Sequence, residues 1–349
     1  MPLARWMRRL AIAGVLLCLV VVGLGAYVRL TAAGLGCPDW PGCYGHLTPS
    51  AAAHDSGIGA AFANRPLEPG KAWREMIHRY AVGTLSLLIL LLAVLAVRAR
   101  RQRLVSVPLA LALPATLIVQ ALLGMLTVTW QLNPLIVTLH LLLGMTTLAL
   151  LWWLLLSLPR SSWGEAALHS AGRSISGGGA AGIASAWRLT LLGLAALALQ
   201  IALGGWTSSN YAAIACPDLP TCQGTWWPHA DFRHAFVPWH GLNVNYEGGL
   251  LAIPARVAIH LTHRLGALVT TAALTAAAIF VLRQRGLAAV RPRAWAVLAA
   301  LAVQLSIGIL MVLRGFPLWL ATAHNLGAAL LLLATLALLR ELGARQARR

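Results

Sequence analysis

Acidic residues are what this chain most lacks: nine Asp and Glu stand against 27 Lys and Arg in 349 residues, and charge of either sign makes up only 10%. A soluble protein of this length needs a polar surface, which 10% charge beside 59% hydrophobic residues cannot supply. The mean hydropathy of +0.75 therefore excludes an ordinary soluble domain and places the chain in a bilayer. Cysteine is also scarce, five in all, which excludes a disulfide-rich secreted scaffold. Period-two alternation of polar and apolar residues is missing too, which excludes a membrane β-barrel and leaves helices.

In a soluble protein a net charge of +18 would suggest a nucleic-acid partner. Its placement argues for topology instead, and no nucleic-acid binding is expected. Basic residues gather at Arg5, Arg8 and Arg9, from Arg98 to Arg103, at Arg160, Arg173 and Arg188, from Arg283 to Arg293, and in the tail from Arg340. Only Glu165 and Glu341 oppose them. The alternate connections carry nearly balanced charge. That is the positive-inside pattern, with both termini cytoplasmic and an even number of spans. The apolar run at 10–30 is too long for a signal-peptide core and has no clean cleavage site, so it reads as a retained first span.

Eight runs are each long enough to cross a hydrocarbon core of ~30 Å. They lie near 10–30, 74–97, 107–129, 136–158, 187–207, 256–282, 294–314 and 318–339. The stretch 160–186, with Ser174-Ile175-Ser176-Gly177-Gly178-Gly179, reads as a flexible cytoplasmic linker. The outer connections alternate long, short, long and short. Internal repetition divides the chain accordingly. CPDWPGC at 37–43 matches CPDLPTC at 216–222, and His78-Arg79 matches His263-Arg264. Gln120-xxx-Gly124 matches Gln304-xxx-Gly308, and His140 matches His324. The expected fold is an all-α integral membrane protein of eight transmembrane helices, arranged as two pseudo-symmetric four-helix bundles. The halves are 1–159 and 187–349, related by an axis along the membrane normal.

His78, His140, His263 and His324 lie within a turn or two of the starts of the second, fourth, sixth and eighth spans. All four spans run from outside to inside, so the four imidazoles share one depth near the outer leaflet. Two histidines facing each other inside a four-helix bundle are suited to axial ligation of haem iron. Zinc would want three or four clustered ligands, and only His260 and His263 offer a local pair. Glu75 shares a helix face with His78. It could move protons or stabilise positive charge at a haem edge, or simply suit a helix N-terminus. His260 stands where the repeat would place a second Glu75, which suggests one catalytic pocket and one that only holds a cofactor. Arg79 and Arg264 follow their histidines and are candidates for haem propionates or for snorkelling to the interface.

Cys37 with Cys43, and Cys216 with Cys222, are equally spaced pairs in outer loops whose prolines enforce tight turns. A structural disulfide in each loop and a thiol pair exchanging electrons with a partner both fit. Cys18 reads as packing within the first span. Trp40, Trp226, Trp227 and Trp239 suit an interfacial belt. The polar loop 229–249 is large enough to cover the second site.

These motifs together resemble the haem A synthase family. They are GAYVRLTAAGLGCPDWPGC at 25–43, EMIHRYAVG at 75–83, VTLHLLLG at 137–144, IHLTHRLGA at 259–267 and TAHNLGA at 322–328. The resemblance covers nearly the whole chain apart from the linker and the 229–255 loop. It implies an oxidoreductase that converts the C8 methyl of haem O to a formyl group by successive hydroxylations, giving haem A. It also implies Glu75, His78 and His140 at the substrate haem, and a haem b on His263 and His324. Many members lack the second cysteine pair, which makes Cys216–Cys222 particular to this lineage. Expected partners are a haem O synthase, cytochrome oxidase assembly factors and an electron acceptor, and a homo-oligomer is left open. The expected location is the bacterial inner membrane, with the haem sites toward the periplasm. The contrasting reading is a di-haem b-type electron carrier, which would stagger its haems toward opposite faces. A transporter would place polar groups and broken helices at the midplane, and neither is found.

Overall fold

The computed structural model describes residues 2–102, 104–159, 180–241 and 244–347. Eight long helices are apolar enough to cross a membrane. The first half contributes α1 (Pro2–Leu30), α4 (Pro69–Arg98), α5 (Val107–Thr129) and α6 (Pro134–Ser157). Between α1 and α4 lie two short outer helices, α2 (Pro49–Ala53) and α3 (Ile58–Ala61). The second half contributes α7 (Ala180–Ser209), α9 (Ile253–Arg283), α10 (Arg291–Leu313) and α11 (Leu318–Gln346), with the short α8 (Phe232–Ala235) in its outer loop.

Local chemistry sets several boundaries. Prolines open α4, α5, α6, α9 and α10 near their first helical positions, where a missing N–H costs nothing. The Asn133 side chain accepts the Leu135 N–H at the start of α6. Most helices run past the apolar stretches by a few residues. One extension runs into the expected linker: α7 is helical from Ala180, where Ala180-Ala181 and Ala184 favour helix. Residues 160–179 of that linker, with Arg160, Glu165 and Arg173, lie outside the described residues.

Each half closes on itself. In the first, α1 packs on α4, α4 on α5, α5 on α6 and α6 back on α1. In the second, α7 packs on α9, α9 on α10, α10 on α11 and α11 back on α7. The halves meet where α1 and α6 pack against α7 and α11. Gly205 lets α7 approach α6 closely, since a methyl there would stand 3.0 Å from the Leu141 side chain. Polar contacts tie the same seam. Trp152 Nε1 donates to the Leu333 carbonyl at 2.9 Å, and the Arg29 guanidinium donates to Ser208 O at 2.7 Å. Outward, Leu87, Ile118, Leu192 and Leu268 stay exposed, as lipid-facing residues should.

The two cysteine loops have the same conformation, 179 residues apart. Both carry a cis proline, at Trp40–Pro41 and Leu219–Pro220, and positive φ at Tyr44-Gly45 and Gln223-Gly224. In each an aspartate side chain accepts the two backbone N–H groups of that turn. Asp39 accepts from Tyr44 and Gly45, and Asp218 from Gln223 and Gly224. The Thr221 hydroxyl, followed by those backbone N–H groups, holds the Asp218 carboxyl below the usual carboxylate range. The 229–252 loop does not simply cover the second half. Tyr246 N donates to Gln131 O at 3.0 Å, Trp239 meets Trp130 edge-to-face, and Tyr246 packs with Leu35, Val128 and Leu132 of the first half.

Candidate functional site

The four histidines share one local arrangement. Each imidazole lies edge-on against a glycine of the neighbouring helix in its own bundle. A methyl added to Gly25 on α1 would stand 3.2 Å from His78 Cε1, and one on Gly124 of α5 would stand 3.3 Å from His140 Cε1. In the second half the same holds for Gly204 of α7 with His263, at 3.3 Å, and for Gly308 of α10 with His324, at 3.0 Å. A methyl at any of these four glycines would press on the ring, which would have to give by a few tenths of an ångström.

Haem ligation can be tested on this geometry. Two imidazoles sharing one metal, each about 2 Å from it, place their ring centres about 6 Å apart. His263 and His324 have ring centres 6.5 Å apart with planes at 74°. One ring nitrogen of each of His78, His140 and His324 is buried without a hydrogen-bond partner. That is costly in an apolar span unless a further ligand satisfies the ring. His263 and His324 therefore have the separation that a haem iron between them requires, and the unpartnered nitrogens of His78 and His140 leave those rings free to take a ligand. Among the described residues no group of three or more His, Cys, Asp or Glu converges as a zinc site would require.

The halves differ at Glu75. Its carboxyl is only 5% exposed, one turn from His78, and accepts the Cys37 N–H at 2.9 Å and the Arg79 guanidinium. Its counterpart His260 is equally buried, at 4%, with Nδ1 unpartnered and the ring 6.3 Å from that of Phe316. One pocket is thus bordered by a buried carboxylate and the other by an imidazole.

The arginines reach the cysteine loops. Arg79 donates to the carbonyls of Asp39, Pro41 and Gly42 as well as to Glu75. Arg264 donates to Thr221 O at 2.8 Å, Asp218 O at 2.8 Å and Cys216 O at 3.2 Å. In both halves the residue after the histidine therefore anchors the loop above it. Cys37–Cys43 and Cys216–Cys222 each sit at disulfide-bonding distance, with all four sulfurs buried. Cys18 is buried in the core and unpaired. Beside Gly36, which adjoins Cys37, a polar cleft of about 230 Å³ opens between the outer loops, bordered by Tyr44, Arg65, Lys71 and Glu247.

Residues 8–336 match the cytochrome oxidase assembly protein family, COX15-CtaA. The chain is 39% identical over 333 residues to a haem A synthase of Shewanella oneidensis, covering 94% of this chain and 93% of that protein. The chain belongs to the haem A synthase family. A haem A synthase of Paracoccus denitrificans is 36% identical over 194 residues, covering 55% of this chain and 45% of that one. One of Listeria welshimeri is 33% identical over 127 residues, covering 36% and 37%. Within this family the chain is a multi-pass membrane protein with eight apolar helices.

Sequence reasoning missed three parts of this haem A synthase-like site. The cradling glycines Gly25 and Gly204 carried no signal until their helix neighbours were known. Arg29, which donates to Ser208 O across the two halves, drew no reading from the sequence. Gln200 places its amide 3.1 Å from His263 Nδ1, and the Gln-xxx-Gly spacing already noted at 120–124 and 304–308 could have revealed it.

Proposed function

We propose that this protein is an oxidoreductase that converts haem O to haem A, oxidising the C8 methyl to a formyl group by successive hydroxylations. The observation that carries the reading is the inequality of two otherwise matched histidine pairs, of which only one borders a buried carboxylate. The sequence similarity to haem A synthases supports it. We assign His78 and His140 to the substrate haem, and His263 and His324 to a resident haem b. That resident haem, when bound, supplies one-electron chemistry. The chain's own residues do the rest.

Glu75 places a negative charge beside His78, where an apolar span amplifies electrostatic stabilisation of positive charge developing on the substrate. The Cys37 N–H and Arg79 hold that carboxyl in place. The same carboxylate is placed to accept a proton released as the methyl carbon is oxidised. Both terminal nitrogens of Arg264 are engaged by loop carbonyls, and those of Arg79 by loop carbonyls and Glu75, so we propose loop anchoring as their primary role, with propionate pairing in competition. The Cys216–Cys222 loop, held by Arg264 and Asp218, serves as a structural disulfide in this reading. The Cys37–Cys43 loop touches Glu75 directly and is the better placed of the two to communicate redox state. We place the protein in a bacterial inner membrane with both sites toward the outside, receiving haem O from a haem O synthase and supplying oxidase assembly.

The deciding experiment is extraction and chromatography of the haem bound to protein purified from cells that also express a haem O synthase. Haem b together with haem O, its hydroxylated form or haem A is the expected result. Haem b alone, at two per chain, would replace this reading with a di-haem electron carrier.

A further inference from the structure

Three of the four helices that back a histidine carry Gln-xxx-Gly, and the fourth does not. Gln120-xxx-Gly124 backs His140, Gln200-xxx-Gly204 backs His263, and Gln304-xxx-Gly308 backs His324. On α1 the same spacing reads Val21-xxx-Gly25, behind His78. A residue four before the glycine lies one turn along on the same helix face, so all four positions look toward the histidine-bearing helix.

The glutamines are engaged with the histidines. Gln120 Nε2 donates to the His140 carbonyl oxygen at 3.0 Å, and Gln200 Nε2 to that of His263 at 3.0 Å. Their amides, with that of Gln304, also lie against ring nitrogens. The separations are 3.4 Å to His140 Nε2, 3.1 Å to His263 Nδ1 and 3.4 Å to His324 Nε2. All three side-chain oxygens are buried without a partner, which leaves an acceptor beside each imidazole. Val21 is half-buried hydrocarbon packed on the core and can do none of this. Among the described residues His78 is the one histidine of the four whose ring no amide attends.

We propose that the residue at this position decides how long each half keeps its haem. Gln200 fixes the His263 ring so that the second half retains haem b, whereas Val21 leaves His78 untethered so that the first half releases its haem after conversion. The proposal rests on the haem A synthase reading, in which one site must exchange a haem and the other must not. Hydrogen-bond partners behind a metal-ligating histidine typically account for 10- to 100-fold in metal affinity. Gln200 and Val21 are thus positioning residues that act through His263 and His78.

The test is haem transfer from the purified full-length protein to excess apomyoglobin, with released haem b and haem O or A separated by chromatography. Gln200→Val is expected to speed haem b release by about 10- to 100-fold and to change the low-spin absorption spectrum, without altering release from the first half. Val21→Gln is expected to slow release of haem O and haem A by a similar factor, so that product remains on the protein. Gln200→Met keeps the volume and removes the amide. Fast release from it supports tethering by the amide, and wild-type retention overturns it in favour of packing. Wild-type haem b release from Gln200→Val also overturns the proposal. The haem b measurement is readable whether or not haem O is converted. Failure of the enzymatic reading would show separately, as haem b alone in the unmodified protein.

Discussion

Gly308→Ala is the most direct perturbation of a histidine cradle. The added methyl would stand 3.0 Å from His324 Cε1 and 3.5 Å from Nδ1, against backing atoms of an aromatic ring that cannot flex. Ordinary carbon–carbon contact needs roughly 3.5–4 Å, so the ring or α10 must give by a few tenths of an ångström. Overpacking of this kind costs about 1–3 kcal/mol. Here the displacement falls on a ring that, in the proposed assignment, meets an iron atom together with His263. The expected result is a loss of haem b affinity of about 5- to 150-fold, from about 1.4 kcal/mol per tenfold. The helix itself should not suffer, because Gly→Ala in a helix interior contributes about 1 kcal/mol of stability. Gly83→Ala on α4 is the matched control, since nothing lies within 4 Å of its added methyl. Haem b occupancy, read from the low-spin absorption band during titration of haem-depleted protein, should fall for Gly308→Ala and stay unchanged for Gly83→Ala. Equal haem affinity in both variants, with equal thermal stability, would refute the cradle argument.

Glu75→Gln keeps the volume and the Cys37 hydrogen bond but removes the charge. It should retain bound haem while losing formyl product, read by chromatography, and full conversion would remove Glu75 from the chemistry. Replacing Cys216 and Cys222 together by Ser opens a loop closed over a separation of six residues, which should cost about 2–3 kcal/mol of stability. Thermal unfolding in detergent should show that loss with turnover per folded molecule preserved, and a selective loss of turnover would assign the pair a redox role. Arg29→Gln removes charged hydrogen bonds to Ser208 and Ser209 and the contact 4.1 Å over the Tyr211 ring, worth about 2–3 kcal/mol together. Its unfolding should become less cooperative as the halves separate, and an unchanged single transition would count against that clamp.

The spans and the two histidine pairs were legible because each leaves a one-dimensional trace. A run such as 107–129 is read by length and apolarity, and it coincides with α5 at both ends. The histidines were read by repetition, which needs no three-dimensional information. Arg79 and Arg264 were harder, because adjacent residues on a helix point about 100° apart. Which neighbour Arg79 faces depends on where residues 39–42 return, some forty residues away in sequence. Tyr246 is similar: its partners Leu35, Val128 and Leu132 belong to separate elements of the other half. Gln200 was obscured for another reason. The repeat offset is 179 around the first helix of each half and 184–185 around the others, so Gln120 aligned with Gln304 while Gln200 fell opposite Val21. An amide opposite a hydrocarbon leaves no shared motif for the repeat to mark at that position.

On the proposed function, that difference bears on how one scaffold holds a haem to be kept and a haem to be changed. Both halves place two cradled imidazoles in a closed four-helix ring, and both pin a cysteine loop above them with an arginine. Binding a haem therefore does not distinguish them. What does is the pair of positions flanking the second helix's histidine, one at the wall behind it and one a turn before it. In the first half these are Val21 and Glu75, hydrocarbon and buried carboxylate. In the second they are Gln200 and His260, an amide and an imidazole. Under the proposed assignment, a carboxylate beside the retained haem b would expose it to the chemistry meant for the substrate, and an imidazole in its place carries no negative charge to promote that chemistry. In that reading a second amide, behind His78 as well as behind His140, would hold product in the site. Exchanging either residue alone should therefore harm its own half without improving the other, because reactivity and release must be assigned to the same pocket.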